Sequence, residues 1–268
     1  MHKAATPWAP GSTIVVKFGG NAMTPEAEDS LFGEVGKLQA AGVRVVLVHG
    51  GGPAIDAELA TKGITTERVD GQRVTTAETL AVTEAVLCAT INKRLVRALL
   101  ARDIMAAGIS GQDCGLLTCD RRLPKSLGYV GTIRTVNPGL ILGLLEAGVV
   151  PVIAPLGVAA DFATAYNINA DEAAGAIAAG IRAEALIFIT NIDRVRRAAK
   201  DPASGIEEML PDEALAFADS DACGGSMKPK VRAAANAVKG GVACALIARC
   251  LDATLTKGTL VYPMARGG

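Results

Sequence analysis

The chain has 268 residues, half of them apolar and only 3% aromatic, with 27 Lys+Arg against 27 Asp+Glu. That length accommodates one large α/β domain or two lobes, and a core of Val, Ile, Leu and Ala suits helices packed on a parallel sheet. The neutral balance argues against non-specific nucleic-acid binding and gives no sign of an anionic membrane partner.

Residues 1–12 contain no apolar core of a signal peptide. Residues 13–16 form a β-branched run that ends at Lys17-Phe18-Gly19-Gly20, which predicts a strand and a glycine turn. Leu31, Val35 and Leu38 mark one face of a helix over 26–41, and a buried strand at 43–48 stops at His49-Gly50-Gly51-Gly52-Pro53. Pro53 suits the first turn of the next helix. A long helical pattern covers 76–101, and the polar stretch 111–135 reads as hairpins. A helix at 138–147, a strand at 149–154, an Ala-rich helix at 171–183 and a strand at 185–189 follow. Residues 191–209 read as irregular, before a helix near 230–240 and a strand at 242–247. Alternating strands and helices predict a parallel, doubly wound sheet. The apolar stretch 140–160 is interrupted by Glu146, Pro151 and Pro155, against a membrane span. Cys88, Cys114, Cys119, Cys223, Cys244 and Cys250 include no C-x-x-C pair, which disfavours a zinc site and implies no disulfide framework. Buried thiols in a reducing, cytoplasmic setting are the simpler reading.

Two strands thus end in glycine turns at their carboxyl edge, where open α/β sheets bind ligands. Glycine lets backbone N–H groups approach an anion, and the following helix adds its positive end. Gly19-Gly20 and Gly50-Gly51-Gly52 are both candidates. Neither G-x-x-x-x-G-K-[ST] nor G-x-G-x-x-G occurs, so the P-loop and dinucleotide fingerprints are missing.

At these turns the chain resembles the amino acid kinase family, and within it the acetylglutamate kinases. The matching motifs are Val16-Lys17-Phe18-Gly19-Gly20-Asn21, His49-Gly50-Gly51-Gly52-Pro53, Gly71-Gln72-Arg73-Val74-Thr75, Gly108-Ile109-Ser110-Gly111, Gly128-Tyr129-Val130-Gly131, Tyr166-Asn167-Ile168-Asn169-Ala170-Asp171 and Met227-Lys228-Pro229-Lys230-Val231. They run in family order over residues 13–262. The resemblance implies an αβα sandwich with a mostly parallel central sheet, the fold also of carbamate kinase. It implies one domain with a substrate lobe over about 13–165 and a nucleotide lobe over about 166–268. It assigns Lys17 and Lys230 to the transferring phosphoryl group and Asp171 to holding both lysines. Gly51, Gly52, Arg73 and Asn167 would contact the amino-acid substrate. Gly19, Gly20, Thr190, Asn191, Asp193, Met227 and Lys228 would face the nucleotide. ATP and Mg²⁺ are the implied cofactors, with no protein residue assigned to the metal, and a homodimer is the implied assembly.

The chemistry needs these residue types. A carboxylate acceptor is already ionised at neutral pH, so no general base is required. The obstacle is one anion approaching a polyphosphate, and positioned cations and N–H groups remove it. Arg73 can grip a second carboxylate by a bidentate pair. Taken singly, each residue also has an ordinary use: a solvated strand end for Lys17, a helix surface for Lys230, a dipole-favoured first turn for Asp171. His49 and Cys114 are read as structural.

After the strand at 185–189 the chain reads Thr190-Asn191-Ile192-Asp193-Arg194, where acetylglutamate kinases usually carry Thr-Asp-Val and a glycine. The 225–231 segment and the tail at 258–260 are similar to carbamate kinase. Phosphorylation of N-acetyl-L-glutamate is the leading expectation. The alternatives are carrier-linked glutamate or aminoadipate, carbamate kinase chemistry, and a non-catalytic nucleotide or amino-acid sensor. With about a dozen residues before the first strand, no hexamer-building helix and weak or absent arginine feedback are expected.

Overall fold

The structure, a computed structural model, describes residues 8–69, 71–251 and 257–263. Most of the segment that would carry a hexamer-building helix lies outside the described residues. In chain order the elements are β1 (Thr13–Phe18), α1 (Pro25–Ala40), β2 (Arg44–His49), α2 (Gly52–Thr61), β3 (Arg68–Val69), β4 (Gln72–Arg73), α3 (Ala77–Glu84), α4 (Asn92–Leu100), β5 (Ala106–Ser110), β6 (Leu117–Arg121), β7 (Gly131–Val136), α5 (Gly139–Glu146), β8 (Val150–Ala154), β9 (Leu156–Val158), β10 (Ala165–Asn167), α6 (Ala170–Gly180), β11 (Ala185–Ile189), β12 (Glu208–Met209), α7 (Pro211–Asp219), α8 (Met227–Lys239), β13 (Cys244–Ala248) and β14 (Thr259–Val261).

Eight strands form one sheet in the order β12-β14-β13-β11-β1-β2-β8-β5. Every pairing is parallel except β13 with β14. Each inner strand alternates between two cores, as period-two side chains on a doubly covered sheet must. Ile14, Val16 and Phe18 of β1 enter one core with α1 and α4, whereas Val15 enters the other with α5, α6 and α8. The result is the αβα sandwich. Lys17 follows the parity of Val15 and therefore points to the α6 and α8 face, one step short of the sheet's carboxyl edge. A smaller sheet, β10-β9-β6-β7, and the ribbon β3-β4 stand beyond that edge.

Most element boundaries fall within a residue or two of the sequence reading, the ordinary scatter of helix and strand ends. Three differences have physical causes. The helix read over 76–101 is broken by a π-helical stretch, Ala85–Ile91, which an apolar period alone does not reveal. The helix expected over about 230–240 begins at Met227, so Lys230 stands at its fourth position rather than at its start. The irregular stretch after β11 is followed by α7, missed although Pro211 stands at its first position and Asp212 and Glu213 fill its first turn.

Candidate active site

Three helices begin at one place. Gly51 precedes α2, Asn169 caps α6, and Ser226 precedes α8, and all three residues line a single cavity of about 480 Å³ at the carboxyl edge of the large sheet. Converging helix amino-termini concentrate unpaired N–H groups and positive potential, a setting for an anion.

The turn after β1 and the turn after β2 touch. A Cβ on Gly19 would lie 2.6 Å from the backbone nitrogen of Gly50, so only glycine permits the two chains to approach this closely. Gly51 is packed just as tightly from below: a Cβ there would lie 2.5 Å from Ile91 Cδ1 and 2.7 Å from Leu87 Cδ2. Those two side chains belong to the π-helical stretch, which thereby forms the floor of the triple-glycine turn.

At the centre is a charge cluster. Lys17 Nζ lies 2.9 Å from Asp171 Oδ1, and Lys230 Nζ lies 3.2 Å from Asp171 Oδ2, with the three side chains only 6%, 6% and 11% exposed. Lys230 also donates to the Ser226 carbonyl at 3.1 Å. The Lys230 contact is a directed hydrogen bond. The Lys17 contact is short but bent, and Asp171 Oδ1 has no well-aligned donor. We treat it as an ion pair, since distance decides the Coulomb attraction whereas angle decides the hydrogen bond. Asn169 fixes the helix that carries Asp171, its side chain accepting from the Asp171 and Glu172 N–H groups at 2.8 and 3.2 Å. Burial pushes the Asp171 carboxyl up, but the two ammonium groups outweigh it and hold the carboxyl below its usual range. Burial pulls the Lys230 ammonium down, and Asp171 opposes that pull. The cluster thus presents two buried cations sharing one anion, with net charge to spare for a ligand.

The ribbon β3-β4 brings Arg73 to the same cavity. Its guanidinium is 2.5 Å from Asp56 of α2, and it donates to Thr66 Oγ1 at 3.2 Å and to the Gly52 carbonyl at 3.4 Å. Asn167 donates to Thr75 Oγ1 at 3.2 Å, and that hydroxyl donates to the Arg73 carbonyl at 2.9 Å. Asn167 is therefore tied to the segment that carries Arg73.

His49 lies immediately before the triple glycine and is fully buried. Its Nδ1 is 3.1 Å from the Gly50 carbonyl and its Nε2 is 3.2 Å from Asn92 Nδ2. An N–H at Nδ1 and a lone pair at Nε2 satisfy both contacts, the pattern of a neutral ring. Burial, with smaller help from Arg94 and Lys17, pulls its pKa to about 4. His49 thus braces the glycine turn from outside the cavity.

Of the residues singled out in the sequence, Lys17, Gly19, Gly20, Gly51, Gly52, Arg73, Asn167, Asp171, Thr190, Asn191 and Lys230 all line this cavity. Asp193 does not, and pairs with Arg249 at 2.7 Å. Met227 packs against the core under α8, and Lys228 is exposed on its first turn. Arg194 turns away to Glu207 at 2.6 Å. Sequence reasoning passed over Asp56 and Arg68, which also line the cavity. Their signal was weak, an acidic residue one turn into a helix and a charge in a loop.

An αβα sandwich that gathers three helix amino-termini and paired lysines around one carboxylate is built to handle phosphorylated anions. The chain belongs to the amino acid kinase family, whose profile matches residues 12–249. The acetylglutamate kinase of Jannaschia sp. is 43% identical over 242 residues, 88% of this chain and 81% of that one. Among solved structures, smu.665 of Streptococcus mutans is 27% identical with a TM-score of 0.83, covering 94% of this chain and 99% of that one. The carbamate kinase of Giardia lamblia bound to AMP-PNP shares the fold, with a TM-score of 0.68 at 19% identity over 94% of this chain and 99% of that one.

Proposed function

We propose that the chain transfers the γ-phosphoryl group of ATP to the side-chain carboxylate of N-acetyl-L-glutamate. A carboxylate oxygen forms the new O–P bond as the bond from phosphorus to ADP breaks, and no proton moves. The observation that carries this reading is the pair of ammonium groups, Lys17 and Lys230, set on Asp171 where three helices begin. The likeness to an enzyme named acetylglutamate kinase, at 43% identity, supports the choice of acceptor.

In this reading Lys17 and Lys230 neutralise the oxygens of the phosphoryl group in flight, and Asp171 keeps both charged and aimed. Asp171 is held ionised, so it serves as a counter-charge and not as a base. Gly51 and Gly52 offer backbone N–H groups to the acceptor carboxylate, while Arg73 and Asn167 hold the rest of the amino acid. Gly19 and Gly20 lie over the phosphates. Thr190 and Asn191 lead from them toward Asp193, Met227 and Lys228, where we place the nucleoside. The residues before about 166 form the substrate lobe and those after it the nucleotide lobe, although one continuous sheet runs through both.

Among the described residues no cluster of three or more His, Cys, Asp or Glu side chains is arranged to hold a metal. We place Mg²⁺ on the phosphates of ATP, where it would supply charge neutralisation. The chain is further proposed to work as a cytoplasmic homodimer in arginine or ornithine synthesis; among the described residues no helix is long and apolar enough to cross a membrane.

The test is trapping. With MgATP, N-acetyl-L-glutamate and hydroxylamine, hydroxamate should accumulate, and Lys17→Ala should abolish it. Hydroxamate no higher than the Lys17→Ala background rejects the assignment, and ATP formed from carbamoyl phosphate and ADP would redirect it to carbamate chemistry.

A further inference from the structure

The cavity contains a second charge cluster that repeats the construction of the first. Asp56 lies 2.5 Å from Arg73 Nη1 and 3.1 Å from Arg68 Nη2. Here too, two cations share one carboxylate, and all three residues line the same cavity as Lys17, Asp171 and Lys230. Each trio carries one positive charge in excess.

The two arginines are held differently. The Arg73 side chain is 5% exposed and is anchored by Thr66 and by the Gly52 carbonyl. Arg68 is about half exposed and stands on a two-residue strand, where Asp56 and the Gly71 carbonyl are its contacts. Two guanidinium groups without a shared counter-charge repel, and the less anchored one would swing into water. Burial pushes the Asp56 carboxyl up, but Arg73 and Arg68 prevail and hold it below its ordinary range, so it is an anion whenever the site would work.

We propose that Asp56 is a positioning residue that keeps Arg68 beside Arg73, so that the cavity receives a dicarboxylate at two cationic stations at once. One carboxylate meets the Gly51 and Gly52 N–H groups beside the phosphoryl group that Lys17 and Lys230 neutralise, and the other is gripped by the two guanidinium groups. This rests on the acceptor proposed above and adds to it the means of selecting two carboxylates over one. Asp56 touches neither reacting atom. It acts through the arginines, and Arg68 becomes a specificity-determining contact.

Steady-state kinetics on the full chain test this with N-acetyl-L-glutamate and with its α-carboxamide, which keeps the reacting carboxylate but loses the other charge. Loss of a charge-assisted grip corresponds to about tenfold or more. Asp56→Asn should raise the KM for N-acetyl-L-glutamate by that factor while kcat at saturation falls far less, and should shrink the preference for acid over amide. Arg68→Gln, which leaves the Arg73–Asp56 pair in place, should move the same two quantities in the same direction and guards against a misfolded Asp56 variant. Unchanged KM in both variants overturns the proposal. So does a lowered KM in Asp56→Asn, which would make Asp56 a competitor of the substrate, and so does a fall confined to kcat. If the wild-type chain neither turns over nor binds N-acetyl-L-glutamate in calorimetry, the acceptor assignment fails and this inference with it. Wild-type turnover with indifferent variants sinks this inference alone.

Discussion

Replacing Asp171 by Asn keeps the shape of the central cluster and removes its only negative charge. Lys17 and Lys230 would then face each other in a space where their side chains are 6% and 11% exposed. Removing one partner of a buried ion pair costs about 3–5 kcal/mol, since the remaining charge has neither water nor a counter-ion. At the lower figure, about 3 kcal/mol, a chain of this size loses roughly 6–12 °C of melting temperature. The ammonium groups can escape part of that cost by releasing a proton, and the Lys230 ammonium is already pulled down by burial. A polyphosphate would supply the missing negative charge. ATP should therefore raise the melting temperature of Asp171→Asn by more than it raises that of the wild type, while phosphoryl transfer falls by a factor of about a hundred or more. Differential scanning fluorimetry with and without MgATP, paired with hydroxamate formation, reads both effects. If the variant melts with the wild type and gains no extra protection from ATP, the shared-carboxylate argument is wrong.

Gly19→Ala would force a Cβ to within 2.6 Å of the Gly50 backbone nitrogen. Backbone cannot rotate aside, so a cost of about 1–3 kcal/mol and a displaced glycine turn are expected, seen as a lower denaturation midpoint and a raised KM for ATP. His49 gives a pH signature. Its pKa is about 4 in the fold against an ordinary 6.5, so between those values the unfolded chain binds the extra proton and stability rises with pH. Acidification from pH 6.5 to 4 should thus remove about 3 kcal/mol through this residue, and His49→Gln should flatten that part of the stability curve measured in urea. Asp171 works in the same direction at lower pH: its folded pKa lies below the unfolded one, so its contribution is present above the unfolded value and is lost as pH falls through the folded value. Lys230 is opposite in cost. Its depressed pKa means that its charge carries a burial penalty at neutral pH, which lifts as pH climbs through its folded value toward the unfolded one, so the stability of the wild type relative to Lys230→Met should rise with pH over that range.

The fold was largely legible because strong local signals and the global arrangement agree. The runs 14–16 in β1, 45–48 in β2 and 185–189 in β11 are apolar and buried on both faces, and a run of that kind has few options other than the middle of a covered parallel sheet. β5, with the sequence AAGIS and mostly half-buried residues, offers no comparable signal and was not anticipated as a strand. Its glycine has a reason that only the tertiary structure supplies: a Cβ on Gly108 would fall 1.8 Å from Asn92 Oδ1, and Asn92 is the side chain that meets His49. The π-helical stretch was invisible for the same kind of reason, since its register is set by Leu87 and Ile91 packing beneath Gly51.

The site divides along the same line. Lys17 and Lys230 are 213 positions apart, and no periodicity joins them; the ordered motifs nominated both, yet their meeting on Asp171 depends on strand parity in β1 and on where α6 and α8 begin. Asp56 escaped because a lone carboxylate on a helix is usually a solvated one, and about half of its side chain is indeed exposed. What singles it out is the ribbon β3-β4 folding back to set two guanidinium groups against it, which is information held by a contact and not by a motif. The sequence names the cations one at a time. The chemistry rests on which carboxylates they share, and two such sharings around one cavity make a site shaped for an anion with two ends.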